Sequence, residues 1–241
     1  MSKWREECGV FGIWNHPESS RITYLGLYAI QHRGQESAGI VSLDGDQHIH
    51  HKGLGLVGEV FSEADLERLK GRAAIGHVRY STTGQNLLTN AQPLTAVLLN
   101  GPVAIAHNGN FTNNSELRTE LKTSGAIFHG TNDTELVLHL LSRYPSSNLI
   151  ESLQFAFSRL QGAWSLLVLS HKELAAARDP LGFRPLVIGR KQREDGGWSR
   201  VIASETCAFD LIGASFEREI DPGEIFWVDD SGEHSLRYAQ S

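Results

Sequence analysis

Residues 95–107 read TAVLL-NG-PVAIAH, two apolar runs rich in β-branched residues on either side of Asn100-Gly101. Asn-Gly is the strongest short hairpin signal, because a two-residue primed turn needs positive φ at both central positions. The middle of the chain is therefore antiparallel sheet. Similar short runs bounded by turn residues lie before it, at 9–14, 38–43 and 73–78. A second β-rich set follows at 165–169, 173–178, 185–189, 200–204 and 224–229. Such runs read as strands.

Between the two sets the period changes. Leu117 and Leu121, Leu136 and Leu140, then Leu153, Phe157 and Leu160 recur three and four residues apart, as one face of a helix requires. Helices are expected over 114–123, 133–143 and 149–160. Another is expected over 21–32, and a short one starts at Ser62 in SEADLERLK. Strands, paired helices, then strands again give an α+β layered fold with helices segregated on sheet faces. The polar stretch 190–200 reads as one hairpin loop, and no linker or repeat divides the chain.

The 241 residues are 40% hydrophobic and 21% charged, the balance of an ordinary globular domain. A formal net charge of −6 gives no electrostatic reason to expect a nucleic-acid partner. The most apolar stretches, such as AWSLLVL, are far too short to span a bilayer. Two cysteines, Cys8 and Cys207, cannot make a disulfide framework, and the charged start MSKWREE is no signal peptide. A cytoplasmic setting is expected. The histidines of HIHH at 48–51 have no partner cluster at metal-ligand spacing, so the segment reads as a polar strand edge.

Four polar clusters stand where loops meet strand or helix ends: QHRGQESAG at 31–39, GHVRYSTTG at 76–84, AHNGN at 106–110 and TNDTE at 131–135. Each alone has an ordinary explanation as a turn, a cap or a solvated edge. Together with Cys8 they supply what acyl transfer to a thiol needs. The Asn108 amide and the Gly109 N–H are suited to stabilise an oxyanion. Arg79 can grip a carboxylate and Asp133 can pair with an ammonium, and an amino acid carries both. The missing base can be the cysteine's own α-amine, whose pKa near 7.7–8.0 leaves a neutral fraction at physiological pH. That requires Cys8 to be residue one.

The stretches ECGVFGIW, QHRGQESAGI, IGHVRYSTTG, AHNGN, DTE, RDPLGFRPL and ASETCAFD, in this order, resemble the glutaminase half of the amidophosphoribosyltransferase family. These are class II, N-terminal-nucleophile glutamine amidotransferases. The resemblance spans essentially the whole chain. It implies a four-layer αββα sandwich of two antiparallel sheets, the N-terminal-nucleophile hydrolase fold. It implies residues 1–7 as a propeptide and 8–241 as the glutaminase domain. Cys8 would attack the glutamine side-chain amide. Arg79 and Thr82 would hold the α-carboxylate, Asp133 the α-ammonium, and Asn108 with Gly109 the oxyanion. Tyr80 matches a position that helps couple two active sites, and Arg33 is a weaker candidate for the nucleophile's surroundings. Cys207 matches no family ligand or nucleophile and reads as structural.

The same resemblance implies ammonia transfer to phosphoribosyl pyrophosphate, forming 5-phosphoribosylamine in the first step of purine biosynthesis. The phosphoribosyltransferase half does not appear in this sequence, so the chain is expected to carry only the glutaminase reaction. Mg2+ would belong to that other half, and no cofactor or iron–sulfur cluster is expected in this chain. The expected partners are glutamine and a phosphoribosyltransferase domain or subunit, with a homo-oligomeric full-length enzyme. Asn132 stands where relatives commonly have serine, and the loop at 84–94 is less glycine-rich than theirs. Two alternatives stay open: a glutaminase half serving another acceptor such as a sugar phosphate, and an unprocessed, non-catalytic glutamine-binding or regulatory module.

Overall fold

The computed structural model describes residues 8–80, 87–144 and 146–240. Met1–Glu7, expected as a propeptide, and the expected ligand Thr82 lie outside them. Thirteen strands among the described residues form two sheets in which every pairing is antiparallel.

The first sheet holds β1 (Gly9–Trp14), β2 (Ser37–Asp44), β3 (Gln47–Leu54), β4 (Ala73–Arg79), β9 (Val187–Gln192), β10 (Trp198–Ala203) and β11 (Ser215–Glu219), in the order β11-β9-β10-β1-β4-β2-β3. The second holds β5 (Leu94–Leu98), β6 (Gly101–Phe111), β7 (Gly162–Ser170), β8 (Glu173–Arg178), β12 (Glu224–Asp229) and β13 (Gly232–Arg237), in the order β13-β12-β8-β7-β6-β5. The helices are α1 (Ser19–Ala29), α2 (Val57–Val60), α3 (Glu63–Arg68), α4 (Asn114–Thr123), α5 (Glu135–Arg143), α6 (Leu149–Arg159) and α7 (Cys207–Ile212).

Alternation along the strands builds three apolar layers. On β1, Val10 and Trp14 face the second sheet and pack with Ala104, Ala106 and Leu167, whereas Phe11 and Ile13 face outward with Leu27 of α1 and Phe209 of α7. The second sheet turns Val103, Ile105 and Leu166 outward onto Leu117, Leu136, Leu140 and Leu153 of α4, α5 and α6. The result is helix, sheet, sheet, helix, the four-layer sandwich expected from the resemblance. Because the first sheet is covered on both faces, its central strands β1 and β4 are buried throughout.

The hairpin at 95–107 forms, but its turn is shifted by one residue. Leu98 pairs with Gly101, so the two loop residues are Leu99 and Asn100. Gly101, at φ 112°, takes the positive-φ position after them, and Asn100 keeps negative φ. The helix expected from 133 starts at Glu135, because the Asn132 side chain accepts the Thr134 N–H in a turn just before it. The expected 21–32 helix runs from Ser19 to Ala29 and tightens into a 3-10 turn over Gln31–Arg33. Ser62 does cap α3, in a reciprocal box with Asp65. The histidine-rich segment is β3, an edge strand of the first sheet. Edge strand β13 is polar on its open side, β11 is exposed along its whole length, and neither carries an apolar run to announce it.

Candidate active site

Cys8 immediately precedes β1 at φ 70°, a left-handed conformation unusual for a residue with a side chain. Two reciprocal bonds hold it. Its N–H donates to the Arg33 carbonyl at 3.0 Å, and the Arg33 Nε donates to the Cys8 carbonyl at 2.7 Å. The thiol donates to the Tyr80 carbonyl at 3.5 Å. Arg33 is 2% exposed, and its charge is met by Glu205, which also accepts from His32 at 3.1 Å. Burial pushes the Glu205 carboxyl up, but Arg33, His32 and Cys207 outweigh it and hold it below its ordinary value. The sequence motif ASETCAFD thus contributes a carboxylate two bonds away from the nucleophile's backbone. Cys207 itself is held up by burial and by Glu205, so it stays a thiol, which agrees with a structural role.

The expected oxyanion residues lie inside a strand, not at its end. Asn108 pairs with Ser165 and Gly109 with Trp164 in the ladder between β6 and β7. What opens this stretch is the departure of β5, whose last pairing is Leu94 with Ile105. Beyond it, the N–H groups of 107, 109 and 111 point by strand alternation to the vacated side. The Gln92 side chain takes the first, accepting from the His107 N–H at 2.7 Å. Asp133 takes the third, accepting from the Phe111 N–H at 3.1 Å. Gly109 stands between them with its N–H facing the same gap. Its φ is 143°, and a Cβ there would lie 2.1 Å from the Ala163 carbonyl oxygen, so only glycine fits.

Asn108 points the other way, between the sheets, and is fully buried with neither amide heteroatom bonded among the described residues. Arg79, also on an inward position, is 7% exposed and its Nη1 has no partner among them. The Ser37 and Ser165 hydroxyls, opposite Arg79 and Asn108 in their ladders, are likewise unpaired among the described residues. A buried guanidinium and amide left open are expensive unless a ligand completes them. Asp133 sits beside this gap with its carboxylate partly exposed, 3.4 Å from His107 Nδ1. Burial pushes its carboxyl up, but His107 and the Phe111 N–H prevail and keep it below the ordinary range, hence ionised.

Cys8, Arg79, Tyr80, Asn108, Gly109 and Asp133 therefore share one end of the sandwich, where β1 and β4 pack on β6. Arg33 lies directly behind the nucleophile. Sequence reasoning missed His77, Gln92 and Glu205. His77 and Glu205 stood inside quoted motifs, but only the fold shows what they bond. Among the described residues no group of three or more His, Cys, Asp or Glu could hold a metal ion.

Two antiparallel sheets packed face to face between helical layers define the sandwich of the N-terminal-nucleophile hydrolases. Within that class the chain belongs to the glutamine amidotransferase domain family, whose sequence model matches residues 77–210. It is 46% identical to the amidophosphoribosyltransferase of Bacillus subtilis, over 98% of this chain and 49% of the relative. With the chloroplastic amidophosphoribosyltransferase of Glycine max it shares 51% identity, over 97% of this chain and 41% of the relative. A solved structure described as the allosteric regulatory enzyme of purine biosynthesis superposes with a TM-score of 0.91 at 45% identity, covering 97% of this chain and 50% of its own. A solved structure described as a glutamine aminotransferase class-II domain protein from Silicibacter pomeroyi, 12% identical, shares the fold with a TM-score of 0.60. The chain spans about half the length of the amidophosphoribosyltransferases it matches.

Proposed function

We propose that this chain is a glutamine-hydrolysing domain whose ammonia serves transfer to phosphoribosyl pyrophosphate, forming 5-phosphoribosylamine at the start of purine biosynthesis. The carrying observation is the strand edge vacated by β5, where Gly109 turns its N–H into a gap flanked by the ionised Asp133 and by the buried Arg79 and Asn108, incompletely bonded among the described residues. The names of the relatives support the acceptor, which belongs to the half of those proteins this chain does not span.

In this reading Arg79 and Thr82 hold the α-carboxylate of glutamine and Asp133 its α-ammonium. The Cys8 sulfur attacks the side-chain carbonyl carbon while its proton passes to the α-amine of the same residue. Charge develops on the carbonyl oxygen, and the Asn108 amide and Gly109 N–H receive it. The amine then protonates the departing nitrogen, ammonia leaves, and water hydrolyses the thioester to glutamate. Arg33 fixes the Cys8 carbonyl, and its own carbonyl holds the nitrogen that must act as base. Tyr80, whose carbonyl meets the thiol, is the proposed link to the acceptor site. Mg2+ would act in the phosphoribosyltransferase half, which is also the proposed partner. We place the protein in the cytoplasm, which its bacterial relatives support; no described helix is long and apolar enough to cross a membrane.

While Glu7 is attached, the Cys8 nitrogen is an amide and cannot take a proton. Residues 1–7 are thus the proposed propeptide. The deciding experiment compares the unprocessed chain with one beginning at Cys8, by mass spectrometry and glutamate release. The processed chain should hydrolyse glutamine, the unprocessed one should not, and Cys8→Ala should abolish turnover without unfolding the protein. A processed chain that leaves saturating glutamine untouched would overturn the proposal.

A further inference from the structure

The carbonyl of His107 stands at the point where β5 leaves β6, and it immediately precedes Asn108 and Gly109. Losing a strand partner should leave both backbone groups of His107 open. Instead, three side-chain contacts replace the ladder. Gln92 accepts from the His107 N–H at 2.7 Å and returns a long donation to its carbonyl at 3.4 Å. The shorter bond to that carbonyl, 2.9 Å, comes from His77 Nε2 on the opposite sheet.

His77 is fully buried, and it occupies an inward position of β4 two residues before Arg79. A carbonyl only accepts, so Nε2 carries the hydrogen and Nδ1 is the bare nitrogen. We infer that His77 is a positioning residue for glutamine hydrolysis: its Nε2–H···O bond ties the strand carrying Asn108 and Gly109 to the strand carrying Arg79. This rests on the proposed function and names the element that fixes the spacing between the grip on the substrate carboxylate and the oxyanion donors. The bond spans the two sheets, so no main-chain ladder can substitute for it.

The arrangement also fixes what His77 does not do. Burial, only partly offset by the bond to His107, pushes its pKa down to about 3, so the ring is neutral throughout the working range of a thiol enzyme. A neutral ring whose one hydrogen is committed to a carbonyl holds geometry and moves no proton. A misplacement of about 1 Å in a reacting constellation can cost on the order of 100-fold in rate.

The test uses the processed chain with His77→Gln, His77→Asn and His77→Met. Glutamine places an amide N–H near the position of Nε2, asparagine is polar but too short, and methionine fills volume without a donor. We expect His77→Gln to keep kcat within about threefold, and His77→Asn and His77→Met to lose roughly 30- to 100-fold in kcat with KM changed less than threefold. The pH–rate profile should keep its shape in all three. Wild-type kcat in His77→Asn, or a His77→Gln variant as impaired as His77→Met, overturns the inference, as does loss of a pH limb on substitution.

Amide hydrogen exchange supplies an arm independent of turnover and of whether methionine is tolerated. Exchange at His107, whose N–H is bonded beside the strut, and at Asn108 should quicken at least tenfold in His77→Asn while α5 keeps its wild-type protection, since only the strut is lost. Unchanged exchange at 107–108 removes the strut whatever the kinetics show. A wild-type processed chain that does not hydrolyse glutamine sinks the proposed function instead, and the exchange result then decides the structural claim alone.

Discussion

Gly109 carries two demands that no other residue type meets. Its φ of 143° belongs to glycine, and a methyl group there would sit 2.1 Å from the Ala163 carbonyl oxygen and 2.7 Å from the Trp164 Cα. Both neighbours are backbone in the adjacent strand and cannot swing aside. Gly109→Ala should therefore cost about 1–3 kcal/mol of stability through strain and lower kcat roughly 100-fold by displacing an oxyanion donor. Urea titration and steady-state kinetics on the same preparation check both. Arg79→Lys belongs to a different step. A lysine keeps the charge but loses the two-pronged grip, so KM for glutamine should rise about tenfold with kcat within threefold. An unchanged KM would remove Arg79 from the carboxylate. At this scale the sequence was informative about identity and blind to setting. Asn108-Gly109 stood out in AHNGN as a pair of donors, yet the same dipeptide chemistry suggested a turn, and only the departure of β5 shows a strand interior. His77 was invisible because a histidine after an apolar run carries no mark of bonding a carbonyl thirty residues on.

Among the elements, α1 shows how closely a helix can lie on the strand that presents the nucleophile. Gly26 faces Phe11, and a Cβ at position 26 would meet the Phe11 ring at 2.3 Å. Phe11 is fully buried in the outer core, three residues past Cys8. In a solvated helix Gly→Ala gains about 1 kcal/mol of propensity. Here overpacking, at about 1–3 kcal/mol, should exceed that gain. Gly26→Ala is expected to lower the urea midpoint at unchanged m-value, and a rise would show that α1 can move away from β1 freely. The stripes of α4, α5 and α6 were legible because one helix face meets one sheet face, the case in which a 3.6-residue period survives into the sequence. Polar edge strands β11 and β13 were not, since pairing with β9 and β12 rather than burial makes them strands. The Asn100-Gly101 signal located its hairpin but misplaced its turn, because Gly101 alone supplies the positive φ that two residues were expected to share.

For the whole molecule, the sandwich buries ionisable groups between its sheets as well as apolar ones, and this sets its response to acid. The layered α+β architecture followed from the alternation of strand and helix runs, but the strand order and the inter-sheet histidines did not, since both depend on contacts far apart in the chain. His77 is pushed down to about 3 and His48 to about 4, each chiefly by burial, with His171 and His50 adding to the effect at His48. Unfolding returns both rings to a pKa near 6.5. Between pH 6.5 and the folded values the unfolded chain binds more protons than the folded one, so stability rises with pH across that window and falls as pH is lowered through it. Glu224 works in the same sense at lower pH: burial raises its carboxyl, but Arg218 and Ser235 outweigh this and hold it below its ordinary value, so its contribution is lost as pH falls below about 4.5. Acid loss should therefore begin near pH 6.5, well above the carboxylate range. His48→Leu isolates the histidine part, because both ring nitrogens of His48 are buried without a partner among the described residues. Against wild type, the variant should show a shallower fall in unfolding free energy between pH 6.5 and 4.5, by on the order of 1–2 kcal/mol after allowance for partial exposure. Urea titrations at three pH values read the slope directly, and parallel slopes for the two proteins would show that His48 titrates normally in the folded state.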